Sequence, residues 1–153
     1  MKKSITLVLL AALIAGPALA HEASNTESLI KYRQSGYAFM AWNMGRIKAN
    51  VEGQYNKEEV IKAANAIQAI ANSGMGALYQ PGTDKGKGWE ETRVKPELFT
   101  DKETVGKVAT TFNTEANEMA KVAAAGDAAA VKVQLGKLGE SCKGCHEKFK
   151  RKD

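Results

Sequence analysis

The chain has 153 residues, with 22 Lys and Arg against 17 Asp and Glu, a formal net charge of +5 and 7% aromatic residues. Basic and acidic side chains alternate along most of its length, so it offers no cationic, aromatic-rich stripe suited to nucleic acid. The length is that of one domain.

Residues 1–20, "MKKSITLVLLAALIAGPALA", read as a secretory signal peptide. Lys2 and Lys3 make a positive start, Ile5 to Ile14 a short apolar stretch, and Ala18-Leu19-Ala20 a small-x-small cleavage site after the break at Gly16 and Pro17. A membrane anchor is the rival reading, but the apolar stretch is too short to span a bilayer. The mature domain is therefore expected at residues 21–153. Losing Lys2 and Lys3 lowers its formal charge to about +3. No later stretch is apolar enough to cross a membrane.

Four amphipathic helices follow, with no alternating strand pattern. The first is expected from about Thr26 to Val51, with Ser24 and Glu27 as a capping box. Its stripe is Ile30, Arg33, Tyr37, Met40, Met44, Ile47 and Val51, at three-four spacing. The second is expected from Lys57 to Asn72, capped by Asn56, with Val60, Ala64, Ile67 and Ala71 on one face. A long connection rich in glycine follows, "SGMGALYQPGTDKGKGWEETRVKPELF"; a structureless segment of that length is unusual in a compact domain and often functional. The third helix is expected from Asp101 to Ala125, opened by a box from Thr100 to Glu103, with Val105, Val108, Phe112, Ala116, Met119 and Ala123 inward. "AGD" turns it directly into the fourth, Ala128 to Lys150, capped by Asp127. The fold class expected is all-α, an antiparallel four-helix bundle. Its alanine-rich seams leave too little side-chain volume to fill an ordinary core, which a large flat ligand would supply.

The only cysteines, Cys142 and Cys145, stand at i and i+3 on the last helix, with His146 beside them in "CKGCH". A redox disulfide of the thioredoxin kind places its pair at a helix N-terminus, where the dipole stabilises thiolate; here the pair is near a C-terminus. A structural zinc wants four ligands, and the sole other histidine is His21. Inert buried cysteines are a further reading. C-x-x-C-H is the attachment pattern of c-type haem, with two thiols for the porphyrin edge and an imidazole for the iron. Export, motif and helical placement together favour it.

With His146 as axial ligand, few residues follow it and none is Met or His, so any sixth ligand comes from earlier helices. Met40, Met44, Met75 and Met119 are the candidates, although a methionine on a helical stripe is more often core filler. Arg33 lies on the apolar face of the first helix, where an inward cation needs a counter-charge, and a haem propionate would provide one. Tyr37, one turn on, would cover the side opposite His146. The basic tail "KFKRKD" reads either as a solvated helix end suited to the dipole or as a docking patch for an acidic partner.

In "KYRQSGYAFM", "PGTDKGKGWEETRVKPELF" and "GESCKGCHEKFKRK" the whole mature chain resembles cytochrome c′, the high-spin class II c-type cytochromes of bacteria. The resemblance implies a periplasmic protein with one covalently attached haem c per chain. It implies a homodimer joined mainly through the first helices. Cys142 and Cys145 would form the thioethers, and His146 would ligate the iron. Arg33 and Gln34 would contact the haem, and Tyr37 would occupy the position where low-spin relatives carry a ligating methionine. Glu91 and Thr92 would add haem contacts. Lys150 departs from the arginine that many members carry four residues after the axial histidine; lysine cannot make the same planar bidentate contact. The implied function is binding of NO and other small gases such as CO, or electron transfer with redox partner proteins. The alternative is a low-spin His/Met class II cytochrome acting purely as an electron carrier. No acid-base constellation surrounds the expected iron site, so an enzyme is not indicated.

Overall fold

Asn56 accepts a hydrogen bond from the Glu59 amide, and Asp127 accepts from the amides of Ala129 and Ala130, so two expected caps start two helices. Gly126, at φ 85°, supplies the left-handed turn between the third helix and the fourth. These elements come from a computed structural model that describes residues 16–152, with side chains from residue 25. Residues 1–15 of the expected leader lie outside the described residues.

Four long helices carry the fold: α1 Gly16–Glu52, α2 Lys57–Ala71, α3 Lys102–Ala125 and α4 Ala128–Phe149. Two starts differ from expectation. α1 begins upstream of Ser24, because the alanine- and leucine-containing segment before it is itself a good helix former and Pro17 sits in the first turn, where a missing N–H is tolerated. α3 is capped by Asp101 rather than Thr100: the Asp101 carboxylate accepts from the Thr104 amide, while the Thr100 hydroxyl donates to the Glu97 carbonyl.

Each helix packs on the next and α4 returns to α1, closing an antiparallel four-helix bundle. Ile47, Val60, Ile67, Met119, Val131 and Leu138 are no more than 1% exposed and form the centre with alanines from α2 and α3. Burying each of the larger side chains contributes roughly 1.5–3 kcal/mol. Toward the cysteine end the filling thins. Val105, Val108 and Phe112, expected inward, remain only partly buried, as do Leu135, Cys142 and Cys145. Among the described residues no helix is long and apolar enough to cross a membrane.

The long connection is not structureless. It contains a 3-10 turn at Met75–Leu78 and a one-turn helix at Glu97–Thr100. Met75 rests on α1, where a Cβ at Gly36 would meet its Cε at 2.9 Å. The connection also pairs with the chain end, through an antiparallel bridge between Val94 and Lys150. The Lys95 amide donates to the Phe149 carbonyl at 2.9 Å, and the Arg151 amide donates to the Arg93 carbonyl at 2.8 Å. The tail is therefore pinned at Phe149 to Arg151 rather than frayed, and Phe149 is 4% exposed.

Candidate functional site

Helical spacing puts Cys142, Cys145 and His146 on one side of α4, and the two thiols are unbridged and half-buried. Burial pushes both thiols above their ordinary range, and at Cys145 the neighbouring Cys142 adds to this. They are therefore held protonated, the opposite of a reactive redox pair. Although the His146 ring is exposed, partial desolvation on one side, then the positive charges of Lys150 and Arg93, lower its imidazole from its ordinary value. That favours the neutral ring, the form able to donate a lone pair to a metal. Among the described residues no group of three or more His, Cys, Asp and Glu side chains is placed to hold a metal ion by itself.

The opposite wall is built from α1 and the long connection. Arg33 is 3% exposed, and its guanidinium donates to the Thr83 hydroxyl at 2.8 Å, the Thr92 hydroxyl at 2.7 Å, and the Thr83 and Leu78 carbonyls. The Tyr79 ring stacks against the guanidinium with its centroid 4.7 Å away. Every one of those acceptors is neutral. Burial lowers the Arg33 pKa, yet arginine stays charged, so a desolvated cation is held here without a bonded carboxylate.

Tyr37 lies one turn further along α1. Its hydroxyl hydrogen-bonds with that of Tyr79, and both phenols lie near enough to the Cys145 thiol to interact with it. Burial raises both phenol pKa values, so both hydroxyls stay protonated near neutral pH. Tyr37 nevertheless remains 40% exposed, leaving it at the mouth of the space it borders. Tyr79, not counted among the expected site residues, belongs to this wall. So does Thr83, which is 1% exposed. Neither carries a periodic signal, since both lie in an irregular segment.

Gln34 spends its polar atoms on the connection: its amide nitrogen donates to the Glu90 carbonyl at 2.9 Å, and its oxygen accepts from the Trp89 amide at 2.8 Å. The Trp89 indole donates to the Ser35 hydroxyl at 2.8 Å. This latch needs Gly88, because a Cβ there would press on Gln34 Oε1 and come within 2.9 Å of Ile30 Cγ2 and the Lys31 amide. Thr92 is buried and joins the Arg33 cluster, whereas its neighbour Glu91 is exposed and bridges back to Lys87. Met40 and Met119 are buried in the core and Met44 packs against it; Met75 rests on Gly36.

These residues fit a haem. Two adjacent unbridged thiols and a neutral-leaning imidazole match its covalent and axial attachment. The buried cation of Arg33, bonded only to neutral groups, suits a propionate.

The cytochrome c′ family model matches residues 28–150. The chain is 62% identical over 133 residues to the cytochrome c′ of Rhodocyclus tenuis, spanning 86% of this chain and 100% of that protein. Among solved structures, a cytochrome c′ described as having an unusual ligand-controlled dimer dissociation is 59% identical, with a TM-score of 0.80 over 83% of this chain and 97% of its own. A ferrous variant of the cytochrome c′ of Alcaligenes xylosoxidans with bound NO is 28% identical, with a TM-score of 0.74 over 84% of this chain and 97% of its own.

Proposed function

Because the chain belongs to the cytochrome c′ family, whose members carry covalently attached haem c, we propose that it is a periplasmic cytochrome with a five-coordinate high-spin iron. It binds NO and other small gases such as CO and exchanges electrons with redox partner proteins; it is not an enzyme. When bound, the haem supplies a one-electron Fe(III)/Fe(II) couple and an open coordination position.

Cys142 and Cys145 hold the group by thioether bonds and His146 holds the iron from α4. Arg33 neutralises a propionate, and Thr83 and Thr92 keep the guanidinium aimed by accepting its other hydrogens. Gln34 fixes the connection that closes this side. Glu91 and Thr92 border the group, with Thr92 the buried member of the pair. Tyr37 and Tyr79 exclude water and bulky ligands.

The observation that carries the five-coordinate reading is the Tyr37–Tyr79 pair, in which α1 and the connection bring two phenols near Cys145. A phenol kept protonated by burial is a poor iron ligand, unlike a tyrosinate, so it walls the position without filling it. The core placement of Met40 and Met119 supports the same reading.

Two further features are consistent with it. The Rhodocyclus tenuis protein aligns along its full length to 86% of this chain, leaving uncovered a stretch of the size expected for a cleaved leader at residues 1–20. α1 exposes Tyr32, Phe39 and Trp42, with the Phe39 and Trp42 rings stacked at 5.3 Å, an apolar strip suited to a homodimer through the first helices. The dimer named for the relative 59% identical supports that assembly.

The test is absorption spectroscopy of the haem-loaded protein before and after CO and NO. High-spin bands that shift on gas addition support the reading. A methionine-type low-spin spectrum unchanged by gas would favour the pure electron carrier instead.

A further inference from the structure

A group of cations gathers at the end of the bundle that carries His146. The pairing of Val94 with Lys150 brings Arg93 and Lys95 of the long connection beside Lys148, Lys150, Arg151 and Lys152. The sequence shows these as two separate runs; the fold makes them one surface. Arg93 and Lys150 lie close enough to His146 to lower its pKa.

Apart from Arg93, these charges are less compensated than those on the helix faces. Lys31, Lys48, Lys62, Lys107, Lys121 and Lys143 each have a glutamate within 3.9 Å. Among the described residues no carboxylate bridges Lys95, Lys148, Lys150, Arg151 or Lys152. Lys95 donates instead to the Glu147 carbonyl, and Arg151 to the carbonyls of Thr92 and Val94. Among the described residues, Asp101, whose carboxyl feels Lys148, and Glu147, near Lys143, stand close to the group. The bonds to backbone fix Lys95 and Arg151 in place, so little of their side-chain entropy is lost when a partner meets them.

We propose that this collar is the docking surface for an acidic electron-transfer protein. The proposal rests on the electron-transfer part of the reading above. Charge complementarity around the iron's protein ligand would steer an anionic partner to the shortest route into the site. A lipid surface fits less well, because stable membrane attachment needs apolar insertion beside the charge. The large exposed apolar side chains lie elsewhere, on α1, at Trp89 and at Val133.

The test is stopped-flow oxidation of the reduced, haem-loaded protein by oxidised plastocyanin, an acidic copper protein, and by tris(phenanthroline)cobalt(III), a cationic complex. Lys148 and Lys152 are exposed and outside the site, so the Lys148→Glu/Lys152→Glu variant should keep the wild-type spectrum. The rate with plastocyanin should fall about tenfold in that variant at low ionic strength, and should fall with salt in the wild type. The rate with the cobalt complex should not fall. Equal plastocyanin rates for both proteins at every salt concentration would overturn the docking surface and leave electron transfer standing. Failure to reduce either oxidant would overturn electron transfer and the surface with it. Binding to phosphatidylglycerol vesicles, absent with phosphatidylcholine and accompanied by a salt-independent plastocyanin reaction, would assign the collar to a membrane and overturn the proposal.

Discussion

The two walls of the site are built in opposite ways. On one side, Cys142, Cys145 and His146 come from a single stretch of α4, so helix geometry alone aligns them. On the other, Arg33 and Tyr37 stand on α1 while Thr83, Thr92 and Tyr79 arrive from an irregular connection, and long-range hydrogen bonds hold the set together. The first wall is chemically specific and structurally cheap to assemble. The second depends on the whole bundle and, on the proposed function, sets what reaches the iron.

The sharpest break between them comes from removing the thiols. Cys142→Ser with Cys145→Ser should abolish covalent attachment, so that all haem extracts into acidic organic solvent, while the helical far-UV spectrum persists. Retained covalent haem would sink the assignment of α4.

Arg33→Leu attacks the other wall. It removes a charged donor from several buried acceptors, each such hydrogen bond being worth about 1.5–3 kcal/mol. The haem-loaded variant should lose about 3 kcal/mol in denaturant unfolding, and the connection should become open to limited proteolysis. An unchanged midpoint would mean that the neutral acceptors do not hold the wall. Gly88→Ala tests the latch separately. Its new methyl must displace Gln34 or lift the loop off Ile30, at a cost of about 1–3 kcal/mol by the same measurement.

Tyr37→Ala leaves both walls standing but opens the mouth between them. CO association with the reduced protein should quicken by about tenfold, equivalent to about 1.4 kcal/mol of barrier. An unchanged rate would remove Tyr37 from the entry path.

The smallest effect concerns α3, outside both walls. Hydrogen bonds from Thr104 hold the Asp101 carboxyl below its ordinary value of 3.8. A depressed carboxyl stabilises the fold above its unfolded pKa, and that contribution is lost as pH falls through the lowered folded value. Asp101→Asn should therefore flatten the stability curve on the acid side of pH 4 and leave the region above pH 6 parallel to wild type.

The same contrast explains how much could be read from the sequence. The α4 motif, the Asn56 and Asp127 caps and most of the α2 stripe depend on neighbours within about a turn, and such local patterns survive into the fold. The Ser24 box did not act as a start, because a capping box works only where the preceding chain leaves the helix, and here it continues. Arg33 was visible as a misplaced cation and Thr92 by resemblance as a haem contact, but that Arg33 bonds Thr83 and Thr92 was not visible. They lie 50 and 59 residues away in a segment without period. Gln34 was visible by resemblance, while its grip on Trp89 and Glu90 depends on how closely Gly88 approaches α1. The two basic runs were each legible, but only the Val94–Lys150 bridge joins them.

The most direct measurement is resonance Raman spectroscopy of the haem-loaded protein, oxidised and reduced, at neutral pH. A wall made by protonated Tyr37 and Tyr79 predicts five-coordinate high-spin marker bands in the reduced state, with no band of a methionine ligand. Six-coordinate low-spin bands would show that the second wall supplies a ligand, contradicting an open position guarded by Tyr37.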